Sequence, residues 1–111
     1  MSFGRGSYAN VGCTFLDVVP IRIGNEVLLG PAVQLYAATH PLSSELRARG
    51  LELGQPIVVE DRAWIGGGAI VCPGVTIGAG SVIGAGSVVT RDVPERVLAV
   101  GNPCRVVRSV D

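Results

Sequence analysis

The sequence predicts an all-β fold, a parallel β-helix of three-sided coils with one ejected loop and a short C-terminal extension. Three observations carry this expectation. Aliphatic residues recur every six positions, at Val59, Ile65, Val71, Ile77, Ile83 and Val89. A small residue stands four positions after the first five of these, at Ala63, Ala69, Val75, Ser81 and Ser87, and glycine follows directly at Gly66, Gly78 and Gly84. The composition agrees: sixteen glycines and seven prolines among 48% hydrophobic and 16% charged residues are too apolar for disorder and too glycine-rich for long helices.

A period of six matches neither the 3.6-residue helix nor a two-residue alternation. It suits a short strand plus a turn, with the aliphatic pointing inward and the glycine allowing a sharp corner. Three units close a triangular coil of eighteen residues, and coils stack at the ~4.8 Å spacing of hydrogen-bonded strands. The blocks Ile77–Val82 and Ile83–Val88 are identical, and Ile23-Gly24, Leu29-Gly30 and Leu35 keep the same register upstream. The repeats are therefore expected over residues 11 to 35 and 59 to 94 of a single 111-residue domain, with residues 95 to 111 as the extension. The same count puts Val11 and Asp17 at inward slots. Asp17 is then either a first-coil residue that is not truly buried or a carboxylate facing an acceptor pocket.

Continuing the count beyond Leu35 puts Pro41 and Arg47 inside, and a narrow apolar core does not take an unpaired arginine cheaply. Residues 36 to 57 are read instead as a loop thrown out from the coil, with a helical turn near Ser43. Such loops on rigid scaffolds tend to carry function. This one holds the only histidine, in Thr39-His40-Pro41.

Other classes are excluded or disfavoured by composition. A net charge of zero argues against nucleic acid or an acidic membrane surface as the main partner. All nine basic residues are arginines, so lysine Schiff-base chemistry and a P-loop are out. Cys13, Cys72 and Cys104 lack zinc-type spacing and read as free thiols in a reducing compartment. No apolar leader or spanning segment is visible, so a cytoplasmic location is expected.

Tyr8-Ala9-Asn10, Leu16-Asp17, Ala38-Thr39-His40-Pro41-Leu42, Trp64-Ile65-Gly66-Gly67-Gly68 and Gly101-Asn102-Pro103-Cys104-Arg105-Val106 together resemble the maltose and galactoside O-acetyltransferase family. Those proteins are hexapeptide-repeat, left-handed β-helix acyltransferases, and the handedness is implied by the resemblance alone. It implies acetyl-CoA as co-substrate, no metal, and His40 as the base that deprotonates a sugar hydroxyl for direct attack on the thioester. An imidazole, with an ordinary pKa near ~6.5, suits that task near neutrality. Gly67 is implied as a backbone N–H donor to the thioester oxyanion. Asn10, Tyr8 and Asp17 match acceptor-site positions. Trp64, Gly67, Gly68, Ala85, Thr90, Arg91, Arg105 and Arg108 match positions along the CoA path, where a guanidinium suits phosphate. Plain packing fits Trp64 equally, and a solvated face fits the last two arginines.

The resemblance also implies a homotrimer with active sites between subunits. The family normally begins with an N-terminal helical segment, which this reading finds missing ahead of Tyr8. Two alternatives stay open, another acceptor (an antibiotic, a lipo-oligosaccharide or a nucleotide sugar) and a non-catalytic β-helix scaffold or inactive fragment; the sequence argues against a third, a carbonic anhydrase on the same fold. The last needs three zinc-binding histidines per site, against one in this chain.

Overall fold

The computed structural model describes residues 1–111 and is a left-handed parallel β-helix measuring 47 × 28 × 21 Å. The first coil is β1 (Ser2–Phe3), β2 (Tyr8–Ala9) and β3 (Thr14–Leu16); the second is β4 (Ile21–Ile23), β5 (Leu28–Leu29) and β6 (Gln34–Tyr36). An arm of β7 (Ala38–Thr39), α1 (Ser44–Ala48) and β8 (Leu53–Gly54) follows. The third coil is β9 (Ile57–Val59), β10 (Trp64–Ile65) and β11 (Ile70–Val71), and the fourth is β12 (Thr76–Ile77), β13 (Val82–Ile83) and β14 (Val88–Val89). The chain ends in β15 (Val97–Gly101) and β16 (Cys104–Ser109).

Stacking the coils gives three parallel faces. The first is β1-β4-β9-β12, the second β2-β5-β10-β13-β15 with β16 added antiparallel, and the third β3-β6-β11-β14. Ile65 lies beside Ile83 and Val71 beside Val89, the expected eighteen-residue step. Every predicted inward aliphatic from Val59 to Val89 is buried, as are the small residues between them. Ser81 and Ser87 are buried because the last strand uses them: Ser81 Oγ accepts from Val97 N at 3.1 Å and Ser87 Oγ from Gly101 N at 3.0 Å.

Four expectations need correction. The coil begins at Ser2, not residue 11, and its inward residues are Phe3, Ala9 and Phe15, whose rings at the two ends meet edge to face at 5.7 Å. Tyr8 pairs with Leu28 and Phe15 with Leu35, a step of twenty, so two extra residues sit in the corner after Leu16. Val11 and Asp17 are therefore not inward; Val11 is 76% exposed, and Asp17 Oδ2 lies on the surface 3.3 Å from the N-terminal ammonium. The ejected segment is shorter than 36–57, because Ala37 and Ile57 are fully buried and Gln55 N donates to Ala37 O at 2.9 Å, closing the arm at its root. Residues 95–101 are less an extension than a further strand: Leu98 pairs in parallel with Val82, and Ala99 plugs the core.

The glycines also work differently from expectation. Gly66 has an ordinary φ, and a side chain there would meet Ala85 N at 2.6 Å. Where the first face turns into the second and the second into the third, the left-handed turn residue is the third after the inward aliphatic, filled by Gly68, Gly80 and Gly86 but also by Glu26, Ala32 and Arg62. The non-glycine residues bear a conformational cost of about 1–2 kcal/mol each.

Candidate active site

The functional candidates fall on two edges of the prism. Where the second face turns into the third, the corners stack along the axis through Ala32 N→Val11 O (2.9 Å), Gly68 N→Pro31 O (2.8 Å) and Gly86 N→Gly67 O (2.9 Å). Asn10, Gly67, Gly68 and Ala85 all lie on this edge. Gly66 and Gly68 spend their amides on Ile83 and Pro31, whereas the Gly67 amide donates to no carbonyl of the chain. That N–H is free to receive a ligand oxygen, a property that the Ala85 amide shares. Space above the edge is open: a side chain at Gly68 or Gly86 would meet nothing within 4 Å. Asn10 Oδ1 accepts from Val11 N at 2.7 Å, which fixes its carbonyl and leaves its NH₂ without a partner in the chain.

Tyr8 and Trp64 stand on the second face beside this edge, in one row with Leu28 between them. They are 56% and 52% exposed, enough to receive a partner or ligand. Trp64 does not pack beside the His40 arm of its own chain, because that arm leaves from a different edge.

His40 belongs to the edge where the third face returns to the first. The arm is a short antiparallel ribbon, Ala38 opposite Gly54 and Thr39 opposite Leu53, carrying a helix at its tip. Ser43 caps that helix by accepting from Leu46 N at 3.3 Å. Arg47, counted inward by the repeat, instead turns back and donates to the carbonyls of Pro41 at 3.2 Å and Leu42 at 2.8 Å, pinning the segment after His40. At the root, Val19 fills the space over Gly54, where a side chain would come within 2.8 Å of it. His40 is exposed at a cavity of about 180 Å³, lined also by Leu16, Val18, Ala38, Thr39, Glu52 and Leu53. The two added corner residues thus help build one wall of the histidine pocket.

Glu52, Leu53, Leu16 and Val18 line this cavity without belonging to the site residues that the sequence predicts. The available signal was the pairing of Leu51-Glu-Leu-Gly against Ala-Thr-His across the arm. Asp17 lies between two lining residues without lining the cavity itself.

Thr90 and Arg91 follow β14 at this same edge, both exposed. Arg91 and Arg105 share a second cavity of about 260 Å³ with Asp92, Pro94 and Cys104. Arg108 is separate: it stands opposite Leu98, and its guanidinium donates to Ser109 O at 3.0 Å. The largest cavity, about 440 Å³, is a trough over the remaining edge, lined by Arg22, Glu60, Asp61 and Glu95, and holds none of the candidates. Within one chain His40 and Gly67 occupy opposite edges of the third face.

Comparison with known proteins places this architecture. Residues 56–91 match the family model described as bacterial transferase hexapeptide (six repeats). A galactoside O-acetyltransferase of Lactococcus lactis is 49% identical over 98% of this chain and 53% of its own length. The crystal structure of a maltose O-acetyltransferase from Clostridium difficile superposes with a TM-score of 0.97 at 52% identity, covering 98% of this chain and 58% of that one. A hexapeptide-repeat acetyltransferase of Vibrio cholerae, solved with acetyl coenzyme A, gives 0.95 at 44% identity, covering 98% and 60%. The chain spans about half the length of the curated relatives it matches. Over 98% of its length the chain is thus similar to hexapeptide-repeat maltose and galactoside O-acetyltransferases.

Proposed function

We propose that this chain carries out acetyl-CoA-dependent O-acetylation of a sugar hydroxyl, with maltose- or glucose-like acceptors, and that His40 is the general base. The observation that carries this reading is the placement of the only histidine at the mouth of a closed-rooted arm, beside a cavity on an otherwise rigid scaffold. The acceptor O–H gives its proton to the imidazole as its oxygen attacks the thioester carbonyl carbon. The resulting oxyanion is met by the Gly67 N–H. Collapse breaks the C–S bond, and the imidazolium returns the proton to the departing CoA sulfur, so no acyl-enzyme forms.

The co-substrate is inferred from the acetyl coenzyme A held by the Vibrio relative. The open edge over Gly68 and Ala85 suits its thin pantetheine arm, and Arg91 with Arg105 suits its phosphates. The acceptor class is inferred from the names of the Lactococcus and Clostridium proteins. Because His40 and Gly67 lie on separate edges, the working site in this reading is assembled between copies, with His40 of one meeting Gly67 of the next in a homotrimer. The half-buried free thiols fit a reducing compartment such as the cytoplasm.

The test is acetyl-CoA turnover on maltose and glucose, comparing the wild-type chain with His40→Ala. Removing a general base should lower kcat by a factor on the order of 10²–10⁴ while the melting curve is unchanged. A His40→Ala protein that keeps most of its rate would end the proposal. A fully active monomer in sedimentation would end the shared-site arrangement.

A further inference from the structure

We propose that Glu52 is the residue that positions His40, accepting a hydrogen bond from its Nδ1–H so that Nε2 is left to take the acceptor's proton; this rests on His40 being the base. The argument starts from the ribbon. Thr39 pairs with Leu53 at the outer end of a two-pair antiparallel ladder, and His40 and Glu52 follow on the two strands just beyond it, forming no ion pair in the single chain. Both residues line one cavity.

The remaining lining groups are Leu16, Val18, Ala38, Thr39 and Leu53, none of them charged. Of the other charged groups nearby, Asp17 does not line the cavity, and Arg47 is held by the Pro41 and Leu42 carbonyls. Glu52 is therefore the carboxylate that shares the cavity with the imidazole. A carboxylate so placed selects the Nδ1–H tautomer and stabilises the imidazolium formed during proton transfer.

Because the chain has one histidine, its ring nitrogens are assignable by ¹⁵N NMR in the full chain without substrate. The wild-type neutral ring should be mainly the Nδ1–H tautomer. Glu52→Ala should shift the population to Nε2–H, with Glu52→Gln, which keeps an acceptor oxygen, falling between. With acetyl-CoA and maltose, Glu52→Ala should lower kcat roughly ten- to a hundredfold, leave the KM for maltose within about twofold, and have no further effect in a His40→Ala background. An unchanged tautomer, or a change confined to the KM for maltose, overturns the role of Glu52 while leaving the base intact. Retained activity in His40→Ala overturns the base reading and the role of Glu52 together.

Discussion

Gly30→Ala tests whether the spacing between coils is as rigid as the backbone ladder makes it. A methyl group at Gly30 would lie 2.6 Å from Gly67 N and 3.0 Å from Gly67 Cα. Ordinary contact needs about 3.4 Å, so the two corners must part by about 0.8 Å. They are clamped on either side by Gly30 N→Ile65 O and Gly68 N→Pro31 O, both 2.8 Å, so the strain is borne by good hydrogen bonds. Overpacking of this kind costs about 1–3 kcal/mol. For a domain near 100 residues, that corresponds to a melting temperature lower by roughly 5–20 °C. The assay is thermal circular dichroism at one fixed protein concentration, since assembly makes the midpoint concentration-dependent. Gly67→Ala is the control: its methyl would sit 3.2 Å from Pro31 O at an ordinary φ, keeping the N–H and needing only a slight adjustment. If Gly30→Ala melts within about 2 °C of wild type, the coil spacing yields and the explanation for the corner glycines is wrong. Turnover should fall in Gly30→Ala beyond any loss of folded protein, because the displaced atom is the proposed oxyanion donor.

Arg91→Ala and Arg105→Ala should each raise the KM for acetyl-CoA about three- to tenfold with kcat nearly unchanged, whereas Arg108→Ala should do neither, as steady-state kinetics will show. Replacing Ala38–Gly54 by a short turn between Ala37 and Gln55, which already share a hydrogen bond, should preserve the β-helix circular dichroism spectrum and abolish turnover. Burial pushes the thiols of Cys72 and Cys104 above their ordinary range, with Ser87 and Arg105 partly opposing this at Cys104. Both should react with iodoacetamide at pH 8 more slowly than free cysteine, measured by mass spectrometry. An unfolded chain sheds those protons first, so their contribution to stability is fully present below the ordinary thiol pKa and is lost as pH rises from there through the raised folded value.

The coil was legible because six is a rare period and only an apolar, small-residue core fits inside a narrow prism. Val59 through Val89 follow from that rule alone. The first coil escaped it for a specific reason: Val11, Asp17 and Ile23 are also six apart, so two extra corner residues produced a second, false register. Phe3, Ala9 and Phe15 differ too much in size to advertise the true one. His40 was legible through the residues around it, since the repeat itself marks the segment that cannot be core. Its proposed partner across the arm was not, because the pairing of Thr39 with Leu53 is decided where Ala37 meets Gln55, some way from either. The division of the candidates between two edges likewise depends on corner lengths, which periodicity does not record.

Those lengths differ sharply around the prism. At two edges the corners are locked, each backbone resting on the next so closely that a methyl group is excluded, as at Gly24 and Gly30. At the third edge the chain has absorbed first two residues after Leu16 and then the whole arm after Ala37, and the ladder above resumes in step. Lengthening a surface connection is entropically mild, about 0.6 kcal/mol for each doubling. Change can therefore accumulate along one line of the molecule at small thermodynamic cost, while the other two lines keep their spacing. A scaffold of this kind separates inheritance of shape from variation of chemistry. The seam that tolerates new residues is the one that carries the histidine.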